Sequence, residues 1–112
     1  IFTNREINKV KAVLKSGKVN YWTGNECKHF EKEFAEYFDC KYAVALSNGT
    51  VALDIALNAL EIGDGDEVIV TSRTFIASVS SIVNCGAKPV FVDICPNSQN
   101  IRSSEIQKKN YT

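Results

Sequence analysis

The sequence predicts an α/β protein, with N-terminal helices followed by βαβαβ units of parallel sheet. Three observations lead there. Short apolar runs without strict alternation, "YAVAL", "VIVT" and "PVFVDI", suit strands buried on both faces. Stretches with helical spacing separate them, and glycine-bearing turns punctuate the joins. Strand, helix, strand, helix, strand in that order is the signature of parallel crossover units.

The elements follow in chain order. Thr3-Asn4-Arg5-Glu6 fits a capping box, Ile7, Val10 and Leu14 share a helical face, and Gly17 supplies a stop. Residues 18–25, "KVNYWTGN", form a loop with two aromatics. A second helix is predicted from about Glu26 to Phe38, with Phe30, Phe34, Tyr37 and Phe38 on one side. Asp39-Cys40-Lys41 turns the chain into a first strand over 42–46. "SNGT" (47–50) then opens a helix marked by Leu53, Ala56, Leu57 and Leu60. "IGDGDE" turns into a second strand at 68–71; a helix over 74–85 ends at Gly86, and a third strand spans 89–94. Pro96-Asn97-Ser98 breaks it, and Ser103-Ser104-Glu105-Ile106 opens a further helix. The predicted organisation is an N-terminal helical segment with its loop, residues 1–40, and the first part of an α/β domain, residues 41–112.

Composition narrows the function classes. Apolar residues are 45% of the 112 and charged residues 23%, as in ordinary globular proteins. Thirteen basic residues balance thirteen acidic ones, so no net field draws the chain to nucleic acid or an anionic membrane. No apolar stretch approaches the roughly 20 residues of a membrane helix. Cys27, Cys40, Cys85 and Cys95 are spaced too irregularly for a metal or redox pair, and His29 is alone. The expectation is free, partly buried thiols, no metal and a cytoplasmic protein. The start at Ile1-Phe2 and the stop at Tyr111-Thr112, soon after a new helical signal, suggest a fragment.

In parallel sheets ligands bind beyond the carboxyl ends of the strands. Three segments fall there: "SNGT", "TSRTF" and "DICPN". Gly49 permits close backbone approach, and Thr50 offers a hydroxyl at a helix start, where free N–H groups and the dipole suit a phosphate. The plainer alternative is that Ser47 or Asn48 merely caps the helix. Phe75 either packs in the core or presents its face to a flat ring. Asp93 caps, binds or is solvated, and Trp22 serves as a staple or a lid. Position leaves each choice open.

The order "TG…FEKEFAEYF", "YAVALSNGTVALDIAL", "GDGDEVIVTSRTFIASVSSIV", "CGAKPVFVDI" closely resembles the start of the DegT/DnrJ/StrS family. These are pyridoxal-phosphate-dependent sugar aminotransferases of fold type I. The resemblance runs from about Gly17 to Arg102. It implies that the α/β segment is the first part of the large domain, and that pyridoxal 5'-phosphate is the cofactor. The family's small-residue turn matches Gly49, Thr50 and Val51, which would hold the cofactor phosphate. Its aromatic after the second strand matches Phe75, which would stack on the pyridine ring. Its "TG" segment matches Thr23-Gly24 near the mouth of the site, so Tyr21, Trp22, Thr23 and Gly24 would meet substrate. Asn25 and Cys95 stand where many relatives have proline and aspartate.

The resemblance also implies an amino donor, glutamate, a nucleotide-linked keto sugar as acceptor, and a homodimer in the full-length protein. None of the ten lysines matches the Schiff-base lysine, and Asp93 does not match the acid that pairs with the pyridine nitrogen. Lys88 starts a strand, and Lys108-Lys109 belong to the last helix. The chain thus reads as the leading part of an enzyme, inactive alone and with an exposed sheet edge. Two alternatives stand beside this reading. One is a sugar dehydratase of the same family, with histidine in place of the lysine. The other is a non-catalytic α/β phosphate-binding module.

Overall fold

The computed structural model describes residues 1–108; Lys109, Asn110, Tyr111 and Thr112 lie outside them, and so does the end of the last predicted helix at Lys109. The chain divides into two compact units, Ile1–Ala45 and the residues from Leu46 onward.

The first unit holds two helices, α1 (Asn4–Ser16) and α2 (Glu26–Tyr37). The capping box forms at α1: the Thr3 N–H donates to Glu6 Oε2 at 2.7 Å, and the Arg5 N–H donates to Thr3 Oγ1 at 3.3 Å. At the other end Gly17 takes φ 69°, a left-handed conformation that costs glycine nothing, and its N–H reaches the Leu14 carbonyl. Ile7, Val10 and Leu14 do share a face, and in this unit that face is exposed. Along α2 the rings of Phe30, Phe34 and Phe38 form a ladder, with centroids 5.6 and 4.5 Å apart. Residues i and i+4 lie one turn apart on the same side, which is why a four-residue spacing of aromatics makes such a stack. Asp39, at φ 52°, then turns the chain.

The second unit carries α3 (Gly49–Ala59), β1 (Glu67–Thr71), α4 (Ala77–Asn84), β2 (Lys88–Val92) and α5 (Ser103–Lys108). β1 and β2 pair in parallel, in register from Glu67↔Lys88 to Thr71↔Val92. Val70, Ile82 and Ala87 form the core, with Leu57, Ile62, Val68, Val79 and Cys85 packed around them. α3 packs on α4. The turn over 60–66 joins the end of α3 to the start of β1. An 11-residue helix rises about 16 Å, and a five-residue strand spans about the same length.

Three expectations need correction. Tyr42–Leu46 is not a strand: the sheet has two members, and 42–46 joins no ladder among the described residues. A strand exists through its partner's hydrogen bonds, and apolar, β-prone residues cannot supply them alone. The helix predicted from 74 begins at Ala77, because Ser78 and Val79 first donate to Phe75 and Ile76 in i→i+3 turns. The last strand leaves the parallel ladder after Val92. Ile94 bridges Ile101 in antiparallel fashion, and Arg102 N–H donates to Asp93 O, folding 94–101 back on itself.

All four cysteines are free thiols, Cys27 and Cys40 exposed and Cys85 and Cys95 half-buried. Partial burial thus fails for the first two, which sit on a solvated helix and at its exit. Among the described residues no helix is long and apolar enough to cross a membrane.

Candidate functional site

The turn into α3 decides how much of an anion site exists. Asn48 is the N-cap: its backbone is extended and its side-chain oxygen accepts from the Val51 N–H at 2.9 Å. The cap and the anion reading are thus not exclusive. Asn48 takes the third amide of the helix, while the amides of Gly49 and Thr50 have no hydrogen-bond partner among the described residues. Two free donors at the positive end of an 11-residue helix dipole favour a bound anion. A Cβ built on Gly49 would meet nothing within 4 Å, so the space beside this residue is open. Residues Gly49 and Thr50 fit a phosphate group. The Val51 amide is already engaged.

Phe75 sits between the end of β1 and the start of α4, with its carbonyl accepting from Ser78 N–H at 3.0 Å. It is 73% exposed, so it takes no part in the core of this unit and its ring is available. Thr74 Oγ1 and Ser78 Oγ lie 2.9 Å apart, closing the turn that presents it. Nearby, Arg73 Nη1 donates to Gln99 Oε1, linking the loops that leave β1 and β2.

The aromatic loop belongs to the first unit and is organised by a residue that sequence reasoning missed. Asn20 Oδ1 accepts from Trp22 N–H at 3.1 Å, Thr23 N–H at 3.0 Å and Thr23 Oγ1 at 3.1 Å. The Asn20 carbonyl accepts from Gly24 N–H at 2.8 Å. An asparagine heading a turn is a recognised local signal and could have flagged this position. Gly24 lies so close to the backbone that a Cβ there would fall 2.6 Å from Lys18 O. Tyr21 and Trp22 pack edge to face at 5.7 Å and 84°, and Trp22 is 87% exposed.

Glu31 is the second residue missed, and it left no local signal. From α2 it accepts the Tyr21 hydroxyl at 3.2 Å and the Ala45 N–H at 2.8 Å, through different carboxylate oxygens. Its charge raises the Tyr21 pKa above the ordinary value of 10.0, reinforced by desolvation and the hydrogen bond itself. The structure thus gathers Tyr21, Trp22, Thr23 and Gly24 in one loop of the first unit. Gly49, Thr50, Val51 and Phe75 lie in the second.

Known proteins resemble this chain in sequence and fold. The chain is 46% identical over 91 residues to GDP-perosamine synthase of Vibrio cholerae, covering 79% of this chain and 25% of that protein. It superposes on the aminotransferase from Psychrobacter cryohalolentis with a TM-score of 0.92 at 59% identity, covering 96% of this chain and 27% of the other. Bacillus subtilis NtdA, solved with bound cofactor PMP, matches with a TM-score of 0.86 at 33% identity, over 98% of this chain and 26% of that one. The chain spans about a quarter of the length of these proteins. These likenesses place its fold among the fold-type-I aminotransferases. The DegT/DnrJ/EryC1/StrS aminotransferase family matches over residues 1–109, and with free amides at the α3 turn and the motif order intact, the chain belongs to that family.

Proposed function

We propose that this chain is the leading part of a pyridoxal-phosphate-dependent aminotransferase that moves an amino group from glutamate to a nucleotide-linked keto sugar. The observation that carries the reading is the pair of unengaged amides at Gly49 and Thr50, exposed at the start of a helix. Family membership and the sugar-related names of relatives support the substrate class.

In this reading the Gly49 and Thr50 amides donate to the cofactor phosphate, and the Thr50 hydroxyl adds a third donor. Val51 contributes by carrying the capped amide that holds the turn in shape. Phe75 lays its ring against the pyridine, worth on the order of 1 kcal/mol beyond the area buried. Bound pyridoxal phosphate supplies the electron sink for amino transfer. Tyr21, Trp22, Thr23 and Gly24, in the aromatic loop of the first unit, bind the sugar. The lysine that moves protons comes from outside these 112 residues, since none here stands in the family's context. The working protein is a cytoplasmic homodimer that engages neither nucleic acid nor membrane.

The test is a titration of the full-length protein with pyridoxal phosphate. A visible absorption band is expected, bleached by glutamate and restored by the keto sugar. No band, or a phosphoester found away from Gly49 and Thr50 in a crystal of the loaded protein, overturns the reading. Histidine in place of the downstream lysine turns the assignment to the dehydratase.

A further inference from the structure

Glu31 joins parts of the first unit that are far apart in sequence. Its two oxygens reach Tyr21, ten residues earlier, and Ala45, fourteen residues later. Ala45 lies two residues before Ser47, where the phosphate turn begins. One carboxylate therefore ties the aromatic loop to the backbone at the end of the first unit.

The direction of the Tyr21 bond has a chemical consequence. A carboxylate only accepts, so the phenol must donate its single proton to Glu31. The phenol oxygen then presents only lone pairs to the surroundings, and can serve a ligand only as an acceptor. Lys28 Nζ stands 5.8 Å from the Tyr21 ring centroid, on the ring face, and does not take this position. The neighbouring Trp22 is an exposed indole whose ring packs edge to face with that of Tyr21. An acceptor next to an open aromatic face suits a sugar, which offers hydroxyl protons and an apolar C–H face. The carboxylate of an amino-acid donor, itself only an acceptor, finds no proton there.

We propose that Glu31 is a positioning residue whose carboxylate fixes Tyr21 as a hydrogen-bond acceptor for a hydroxyl of the sugar substrate. The inference rests on the aminotransferase reading above and adds to it the group that reads the sugar.

The test uses the full-length, cofactor-loaded protein with Glu31→Gln, Tyr21→Phe and the double variant. Tyr21→Phe leaves the Glu31–Ala45 bond in place, so it reports on recognition even if Glu31→Gln folds poorly. Each single variant is expected to raise KM for the keto sugar about tenfold more than KM for the amino donor, as loss of one binding hydrogen bond should. The double variant should be no worse than either single one, because the two act as a unit. Ultraviolet titration should show the Tyr21 phenol ionising at lower pH in Glu31→Gln. A keto-sugar KM that moves no more than the donor's, or additive losses, overturns the inference alone. A parent protein that takes no amino group from any donor overturns the reading beneath it, and the inference with it.

Discussion

Asn48 Oδ1 accepts the Val51 amide at 2.9 Å, and this single bond divides the α3 terminus into a structural half and a binding half. Replacing Asn48 with alanine should cost about 1 kcal/mol of stability, read from denaturant unfolding. Asn48→Asp should keep the cap and the stability. Its added negative charge beside the two free amides should nonetheless weaken cofactor binding. Equal cofactor affinity in Asn48→Asp and the parent would show that no anion sits there.

Gly49 separates folding from binding more cleanly. Its added Cβ meets no protein atom, and its φ is not left-handed, so Gly49→Ala should fold with unchanged or slightly raised stability. Gains of about 0.4–1 kcal/mol are usual for such a change. The proposed phosphate is held by this residue's own amide, so a methyl added beside it should lower cofactor affinity by about tenfold or more. Thermal melts without cofactor and titrations with it measure the two effects separately.

Gly24 should behave in the opposite way. A Cβ there would stand 2.6 Å from Lys18 O and 3.1 Å from Asn20 O, both backbone atoms that cannot swing aside. Gly24→Ala should lose about 1–3 kcal/mol of stability through overpacking. A melt unchanged from the parent would mean that the loop relaxes without cost.

Cys95 gives a prediction in pH. Hydrogen bonds from the Ser98 amide and hydroxyl and from the Asn97 amide, with the Arg102 charge, lower its thiol from 9.0 to about 7. Folding therefore favours the thiolate. The stabilisation is fully present above the unfolded value near 9 and is lost as pH falls through about 7. Alkylation by iodoacetamide, followed by peptide mass spectrometry, should label Cys95 half-maximally near pH 7. A Cys95 labelling midpoint near 9 would contradict the lowered thiol.

What could be read without coordinates was local. The capping box at Thr3 and Glu6, the stop at Gly17 and the aromatic side of α2 each depend on residues within a turn or two, where spacing dictates contact. The parallel pair β1–β2 was also legible, since two β-branched runs flanking a helical segment have few other ways to bury themselves. The strand predicted at 42–46 failed because its apolar residues specify willingness to pair and carry no information about a partner.

Sequence alone thus determined the α/β class, the helix boundaries set by caps, and the motif order that identifies the family. Only the tertiary structure decided that Asn48 captures one amide and leaves two, that the Phe75 ring stays clear of the core, and that Glu31 holds Tyr21 and Ala45 together. The reason is physical. Caps and turns are governed by neighbours along the chain, whereas free donors, exposed rings and bridging carboxylates are defined by what the folded chain brings, or fails to bring, within hydrogen-bonding reach.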